Sequence, residues 1–161
     1  SDPFDRNIGY AEAQEGYIHR FHMGSGQVKN LRPEPTEGQP AFRFHWNSPL
    51  IGSRHQKGAL YLAGNRVFRL ADKGERWQVV SPDLSTQDPL KTTAVGSGAE
   101  NYGVVYTLAE SPVRAGLLWA GTDDGKLWIT ESDGGNWTAL TTALPAAATG
   151  RTISRIEPAP Q

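Results

Sequence analysis

Ala59-Leu60-Tyr61-Leu62-Ala63-Gly64-Asn65-Arg66-Val67-Phe68-Arg69-Leu70 and, further along, Leu117-Leu118-Trp119-Ala120-Gly121-Thr122-Asp123-Asp124-Gly125-Lys126-Leu127-Trp128-Ile129-Thr130 decide the fold. Each is a pair of short runs rich in apolar and aromatic side chains, split by a tight Asn, Asp or Gly turn, which is the pattern of a β-hairpin. A second polar turn and a tryptophan follow each pair: Asp72-Lys73-Gly74 before Trp77-Gln78-Val79-Val80, and Asp133-Gly134-Gly135 before Trp137-Thr138-Ala139-Leu140. A Ser-Pro dipeptide precedes each, at Ser48-Pro49 and Ser111-Pro112, and Asp2-Pro3 and Glu157-Pro158 mark the same point in partial units. The intervals are 46, 63 and 46 residues. A multi-strand unit recurring at that spacing predicts an all-β chain of β-propeller blades, four-stranded antiparallel sheets arranged radially.

Working outward, residues 7–13, 17–22 and 27–31 read as the strands of a first unit that opens midway, with turns at Glu15-Gly16 and Gly24-Ser25-Gly26. Phe42-Arg43-Phe44-His45-Trp46-Asn47 alternates aromatic and polar side chains, so it reads as the inner strand of the second unit with Phe42, Phe44 and Trp46 on one face. Tyr102-Gly103-Val104-Val105-Tyr106-Thr107-Leu108-Ala109 opens the third unit, and residues 151–156 begin a fourth. The strands count three, four, four and one, giving blade units over residues 1–40, 41–100 and 101–150, with 151–161 as the first strand of a further or ring-closing blade. Closed propellers need at least about four blades. The expectation is therefore a segment of about three blades from a larger propeller, with the remaining blades supplied by the same or other chains. A β-sandwich would use a similar set of strands, but it gives no reason for Ser-Pro and Gly-Asp turns to recur in register. An open stack of sheets would leave unpaired edges.

The 161 residues carry a formal charge of −1, and 37% are apolar with no run long enough to span a membrane as a helix. No general field attracts nucleic acid, and membrane insertion is not expected. There are no cysteines, so disulfides and thiolate metal sites are excluded while the compartment stays open. Ser1-Asp2-Pro3-Phe4-Asp5 lacks the basic and apolar parts of a signal peptide, which fits a processed or excerpted chain.

Leu70-Ala71-Asp72-Lys73-Gly74-Glu75-Arg76-Trp77 follows S-x-D-x-G-x-x-W except for Leu at the opening Ser. In such a turn the Asp accepts backbone N–H groups, Gly takes positive φ, and Trp packs back at the start of the next strand. Thr130-Glu131-Ser132-Asp133-Gly134-Gly135-Asn136-Trp137 fits in either of two registers: Gly134 and Trp137 aligned with Ser132 in the Asp slot, or Asp133 and Gly135 aligned with Trp137 one place early. A calcium role for these aspartates would require six to eight oxygens, and Asp72 has Lys73 and Arg76 beside it. The turns are expected to be structural, holding no metal or other cofactor. They resemble the Asp boxes, or BNR repeats, of sialidases, sortilin-type receptors and xyloglucan-cleaving glycosidases. Phe44-His45-Trp46-Asn47-Ser48-Pro49, Gly64-Asn65-Arg66-Val67-Phe68 with Ser81-Pro82-Asp83-Leu84, and Ala109-Glu110-Ser111-Pro112 with Trp119-Ala120-Gly121-Thr122-Asp123-Asp124-Gly125 resemble bacterial propeller proteins related to the sortilin N-terminal region. That resemblance implies an exported protein, extracellular or periplasmic, with Asp72, Gly74, Trp77, Asp133, Gly134, Gly135 and Trp137 as structural clips on the face away from the ligand.

The resemblance also places the loops at residues 32–41 and 83–101, and the turns at Gln14-Glu15-Gly16, Asn65-Arg66 and Asp123-Asp124-Gly125, on one face. Candidate ligand contacts there are Arg43, His45, Asn65, Arg66, Tyr102, Asp123 and Asp124, with Asn47 and Tyr106 nearby. The expected ligand is a carbohydrate or a peptide or protein segment. The competing reading is that His45 and Asn47 satisfy backbone groups and Asp123-Asp124-Gly125 is only a hairpin turn. No catalytic residue is assigned, and the expected role is a non-catalytic scaffold or interaction module. The alternative is part of a sialidase- or xyloglucanase-like glycoside hydrolase needing further blades, with a pair of carboxylates such as Asp123 or Asp124 and Asp83, Asp88 or Glu100 across a cleft. His19 and His22, three apart on a strand, point to opposite faces and do not make a joint metal site.

Overall fold

The computed structural model describes residues 5–71, 76–92 and 101–160, so Asp72 and Gly74 of the second-unit turn, and Glu100, lie outside the described residues. Among the described residues eleven strands form three antiparallel sheets, each a meander of sequence neighbours. The first contains β1 (Ile8–Ala13), β2 (Tyr17–His22) and β3 (Gln27–Asn30). The second contains β4 (Leu50–Gly52), β5 (Leu60–Ala63), β6 (Val67–Leu70) and β7 (Gln78–Val79). The third contains β8 (Val105–Glu110), β9 (Leu118–Thr122), β10 (Leu127–Thr130) and β11 (Thr138–Ala139). Helix among the described residues is confined to three single 3-10 turns. The architecture is all-β, and among the described residues no sheet closes on itself.

The second sheet is buried on both faces, which is why its central strands read as continuous apolar runs rather than as an alternation. Cross-strand partners share a face, and the register pairs Leu60 with Leu70 and Leu62 with Phe68. These four pack with Ile18 and Leu31 of the first unit and with Phe44. The opposite face, Tyr61, Ala63 and Val67, packs on Val105, Leu108, Leu118 and Ala120 of the third sheet. Full burial of each large apolar side chain contributes about 1.5–3 kcal/mol, so the two inter-sheet layers hold the stack.

Two tryptophans fasten the layers at a repeated position. The Trp137 indole donates to the Val80 carbonyl at 2.8 Å, and the Trp77 indole donates to the Leu31 carbonyl. In the third unit's turn, Thr130 Oγ1 accepts from Gly134 N (3.1 Å) and Ser132 Oγ from Asn136 N (3.0 Å). The register with Ser132 in the Asp slot is thus the one adopted. Asp133, with φ +56°, instead reaches the second sheet, accepting from Tyr61 Oη at 2.5 Å and pairing with Arg69 Nε at 3.0 Å. Burial and that carboxylate push the Tyr61 hydroxyl pKa well above its ordinary value.

Two expected strands are absent. Residues 42–47 make no ladder, and the first strand of the second sheet is Leu50–Gly52. The reason lies in side chains. Asn65 Oδ1 accepts from Arg43 N (3.0 Å) while Asn65 N donates to Arg43 O (2.8 Å), so Arg43 is tied to a corner rather than to a strand. Beyond Phe44, His45 Nδ1 accepts from Asn47 N and Ser48 Oγ donates to His45 O, both at 3.0 Å, turning the chain. Phe42 and Phe44 both pack against Phe68, but Trp46, expected on the same face, does not join them and is 42% exposed. Residues 151–156 likewise form no strand, although Ile153 N donates to Thr122 O at 3.0 Å and Ile156 N to Thr107 Oγ1 at 3.3 Å.

Candidate functional site

The β5–β6 and β9–β10 connections are the same device with different chemistry. In the second sheet Gly64 N bonds Arg66 O, and in the third Thr122 N bonds Lys126 O, so Asn65 and Asp123 stand at matching corners. Each reaches back to a preceding segment of the chain. Asn65 exchanges bonds with Arg43 as described, and Asp123 N donates to Val104 O (3.1 Å) while its Oδ1 accepts from Val104 N (3.0 Å) and Gly103 N (3.1 Å). Each corner also accepts from the segment after it: Val105 N donates to Gly64 O as Ile153 N does to Thr122 O. A Cβ on Gly64 would collide with the Arg43 carbonyl, so the second corner requires glycine.

The seven candidate contacts come together around these corners, and six of them divide between two clefts. His45, Tyr102 and Asp123 line an open cleft of about 640 Å³ together with Trp46, Asn47, Asn101, Tyr106 and Thr152. Arg43, Asn65 and Arg66 line a neighbouring cleft of about 420 Å³, together with residues of the loop at 36–42 and with Val79, Asp83 and Gln87. Asp124 lines neither. It is buried, its Oδ1 accepting from Thr122 Oγ1 (2.5 Å) and its Oδ2 from Thr86 N (2.7 Å) and Oγ1 (2.8 Å), and so it ties the loop after Ser81 to the third corner.

In the aromatic cleft the His45 and Tyr106 rings meet edge to face, centroids 5.0 Å apart at 68°. Since His45 Nδ1 accepts from Asn47 N, the neutral ring carries its proton on Nε2. Asn101 is held by donating to Phe44 O (3.0 Å), and Thr152 by donating to Asp123 O (2.9 Å). Asp123 is 8% exposed. Burial raises its pKa, and the neighbouring Asp124 carboxylate adds to the rise against the opposing pull of the Val104 and Gly103 N–H groups and of His45. Burial also raises the Tyr102 hydroxyl, helped by Asp123, Asp124 and Asp88, while Lys91 Nζ lies 5.5 Å from the ring centroid.

In the arginine cleft, Arg43 Nη2 donates to Asp83 Oδ2 (2.9 Å), Ser85 Oγ (3.1 Å) and Gly103 O (3.1 Å), and Asn65 Nδ2 donates to the same Asp83 oxygen at 2.8 Å. Burial acts to raise Asp83, but the hydrogen bonds from Asn65 and Ser85 and the Arg43 charge outweigh it, and its carboxyl is held below the usual range. Asp83 is a fixed anion. Sequence reasoning misses Trp46, Asn101, Thr152 and Gln87 as site residues: Trp46 and Thr152 fall in expected strands, and Asn101 and Gln87 in a loop whose folding the local pattern does not dictate.

Among the described residues no cluster of three or more His, Asp or Glu could hold a metal ion, and no helix is long and apolar enough to cross a membrane. His19 and His22 are both on β2, where His22 pairs instead with Ser25. No protein-family model matches the chain, and no curated protein is similar to it. The family resemblance rests on the motifs quoted above.

Proposed function

We propose that the three sheets are blades of a larger β-propeller in an exported bacterial protein, and that the loop-bearing face binds a carbohydrate in the aromatic cleft without transforming it. One observation carries the binding reading: Trp46 (42% exposed) and Tyr106 (37% exposed) present ring surface beside Asp123, Asn47 and Asn101. Ring faces pack on the C–H side of a sugar, while the carboxylate and amides accept and donate to its hydroxyls. Trp46 and Tyr106 are the large aromatics left open there, whereas the other large rings of the second unit are buried or half-buried.

Further blades are supported by the two outer faces of the stack. Trp119, Leu127 and Ile129 of the third sheet share the side opposite the residues packed on the second sheet, and Tyr17, Phe21 and Val28 do so on the first. Leu140 N bonds Leu127 O as Val80 N bonds Val67 O, so the Leu140 carbonyl occupies the place where Val80 receives Trp137. A following blade with a tryptophan in its turn would dock there.

A glycoside hydrolase remains the second reading, favoured by the raised pKa of Asp123, which suits an acid. Asp123 is the one carboxylate among the described residues lining that cleft, so the partner carboxylate would come from elsewhere. Glycan-array binding by the wild type and the Trp46→Ala variant tests the proposal. Loss of signal in the variant, with chromogenic glycosides left intact by the wild type, is expected. Turnover of a glycoside would replace binding by catalysis, and unaltered array binding by Trp46→Ala would remove the cleft from the account.

A further inference from the structure

Arg66 is the cation in the arginine cleft that the fold does not use up. Its Nη1 donates to Ser81 O at 3.2 Å, and among the described residues it has no carboxylate within ion-pair distance. Arg43, across the cleft, is committed: one nitrogen serves three acceptors, and Asp83 neutralises its charge. The described lining therefore carries one positive charge in excess, on a guanidinium anchored through Nη1 at one corner, with no protein acceptor for its Nε and Nη2 among the described residues. That planar fork matches a carboxylate in a way that an ammonium does not.

The rest of the cleft is shaped like a sugar site. Phe42 and Val79, the latter 47% exposed, give it an apolar wall, and Gln39 and Gln87 bring amides. Gln87 has φ +56°, a left-handed conformation that costs a non-glycine residue energy, and its N–H donates to Ser85 Oγ at 3.1 Å. Such strain persists where surrounding contacts over-determine it, which is common at ligand sites. The volume of about 420 Å³ admits a single hexose-sized unit.

One residue, Gly103, separates this cleft from the aromatic one. Arg43 Nη2 donates to Gly103 O, and Gly103 N donates to Asp123 Oδ1, each at 3.1 Å. Gly103 has φ +76°, and a Cβ there would approach Thr92 Cγ2 to 3.0 Å, so the dividing wall is kept to bare backbone. We infer that the arginine cleft receives the carboxylate of a uronic acid unit, so that the ligand of this face is an acidic glycan lying across Gly103 with one ring on Trp46 and the next unit's carboxylate on Arg66. This rests on the reading of the aromatic cleft as a glycan site and adds the charge class of the glycan.

The test is calorimetric titration of the chain with tetragalacturonate and its methyl ester, and with a hyaluronan tetrasaccharide and its methyl ester. The ester keeps the rings and removes the charge. For at least one pair the acid should bind about tenfold more tightly than the ester at low ionic strength, with the gap shrinking as salt is raised. Arg66→Gln should close that gap by weakening the acid much more than the ester, and Trp46→Ala should weaken acid and ester alike. If acid and ester bind equally and Trp46→Ala weakens both, the carboxylate subsite is wrong and the aromatic cleft stands. A gap that persists in Arg66→Gln also overturns the subsite. Binding of neither member of either pair overturns both.

Discussion

Asn65 and Asp123 hold matching corners of adjacent sheets, each returning a bond pair to a preceding segment, yet one is a neutral amide and the other a carboxylate. Asn65 spends its whole side chain on the fold, Oδ1 on Arg43 N and Nδ2 on Asp83. Asp123 does its corner work through Oδ1 alone, at the cost of burying a charge beside Asp124. The comparison shows that the corner needs an acceptor, not a negative charge. The charge at 123 is surplus to the fold, and it faces the aromatic cleft.

Changes at these corners can break or sharpen that comparison. The largest effect is expected at Gly64→Ala, where the new methyl meets the Arg43 carbonyl. A loss of about 3 kcal/mol should appear as a lower urea midpoint, whereas Thr122→Ser at the matching position, which keeps the hydroxyl that bonds Asp124, should cost less than about 1 kcal/mol. Asp83→Asn comes next, because it removes the anion that Arg43 and Asn65 share. It should cost about 2 kcal/mol at neutral pH. The sign follows from the lowered pKa of Asp83: its contribution is complete above the ordinary Asp value of about 3.9 and fades as pH falls through the folded-state value, so the variant should lose part of the acid limb of the stability curve.

Asp123→Asn should behave in the opposite sense. Its pKa is raised in the folded chain, so stability is complete below about pH 3.9 and declines as pH rises through the folded-state value. Replacing it with the amide of the matching corner should therefore leave stability at pH 7 unchanged or higher by up to about 1 kcal/mol, and flatten that decline in chemical-denaturation curves collected across pH. An effect of similar size is expected at Trp137→Phe, which keeps an aromatic ring and loses the bond to Val80 O. About 1 kcal/mol should go.

The hairpins were legible in the sequence because residues 60–70 and 118–130 carry their own instructions: branched and aromatic runs with a turn between them. The second-unit segment at residues 42–47 was not, because its alternation satisfies a strand pattern while its backbone is claimed by Asn65, a residue distant in sequence. A local period cannot report a long-range acceptor. The same limit applied to the site. Its polar residues were marked individually, but the partition into two clefts depends on Gly103 forming the wall and on Asp83 neutralising Arg43. Asp124 beside Asp123 looked equivalent in sequence, and the Thr86 and Thr122 hydroxyls are what make it structural.

The claim that the Asp123 charge serves a ligand rather than the fold is tested most directly by glycan-array binding of Asp123→Asn beside the wild type. The variant should unfold at the same or higher temperature at pH 7 and lose the glycan signal that the wild type gives. A variant that stays folded and binds the same glycans as strongly, or a wild type that binds none, would contradict it.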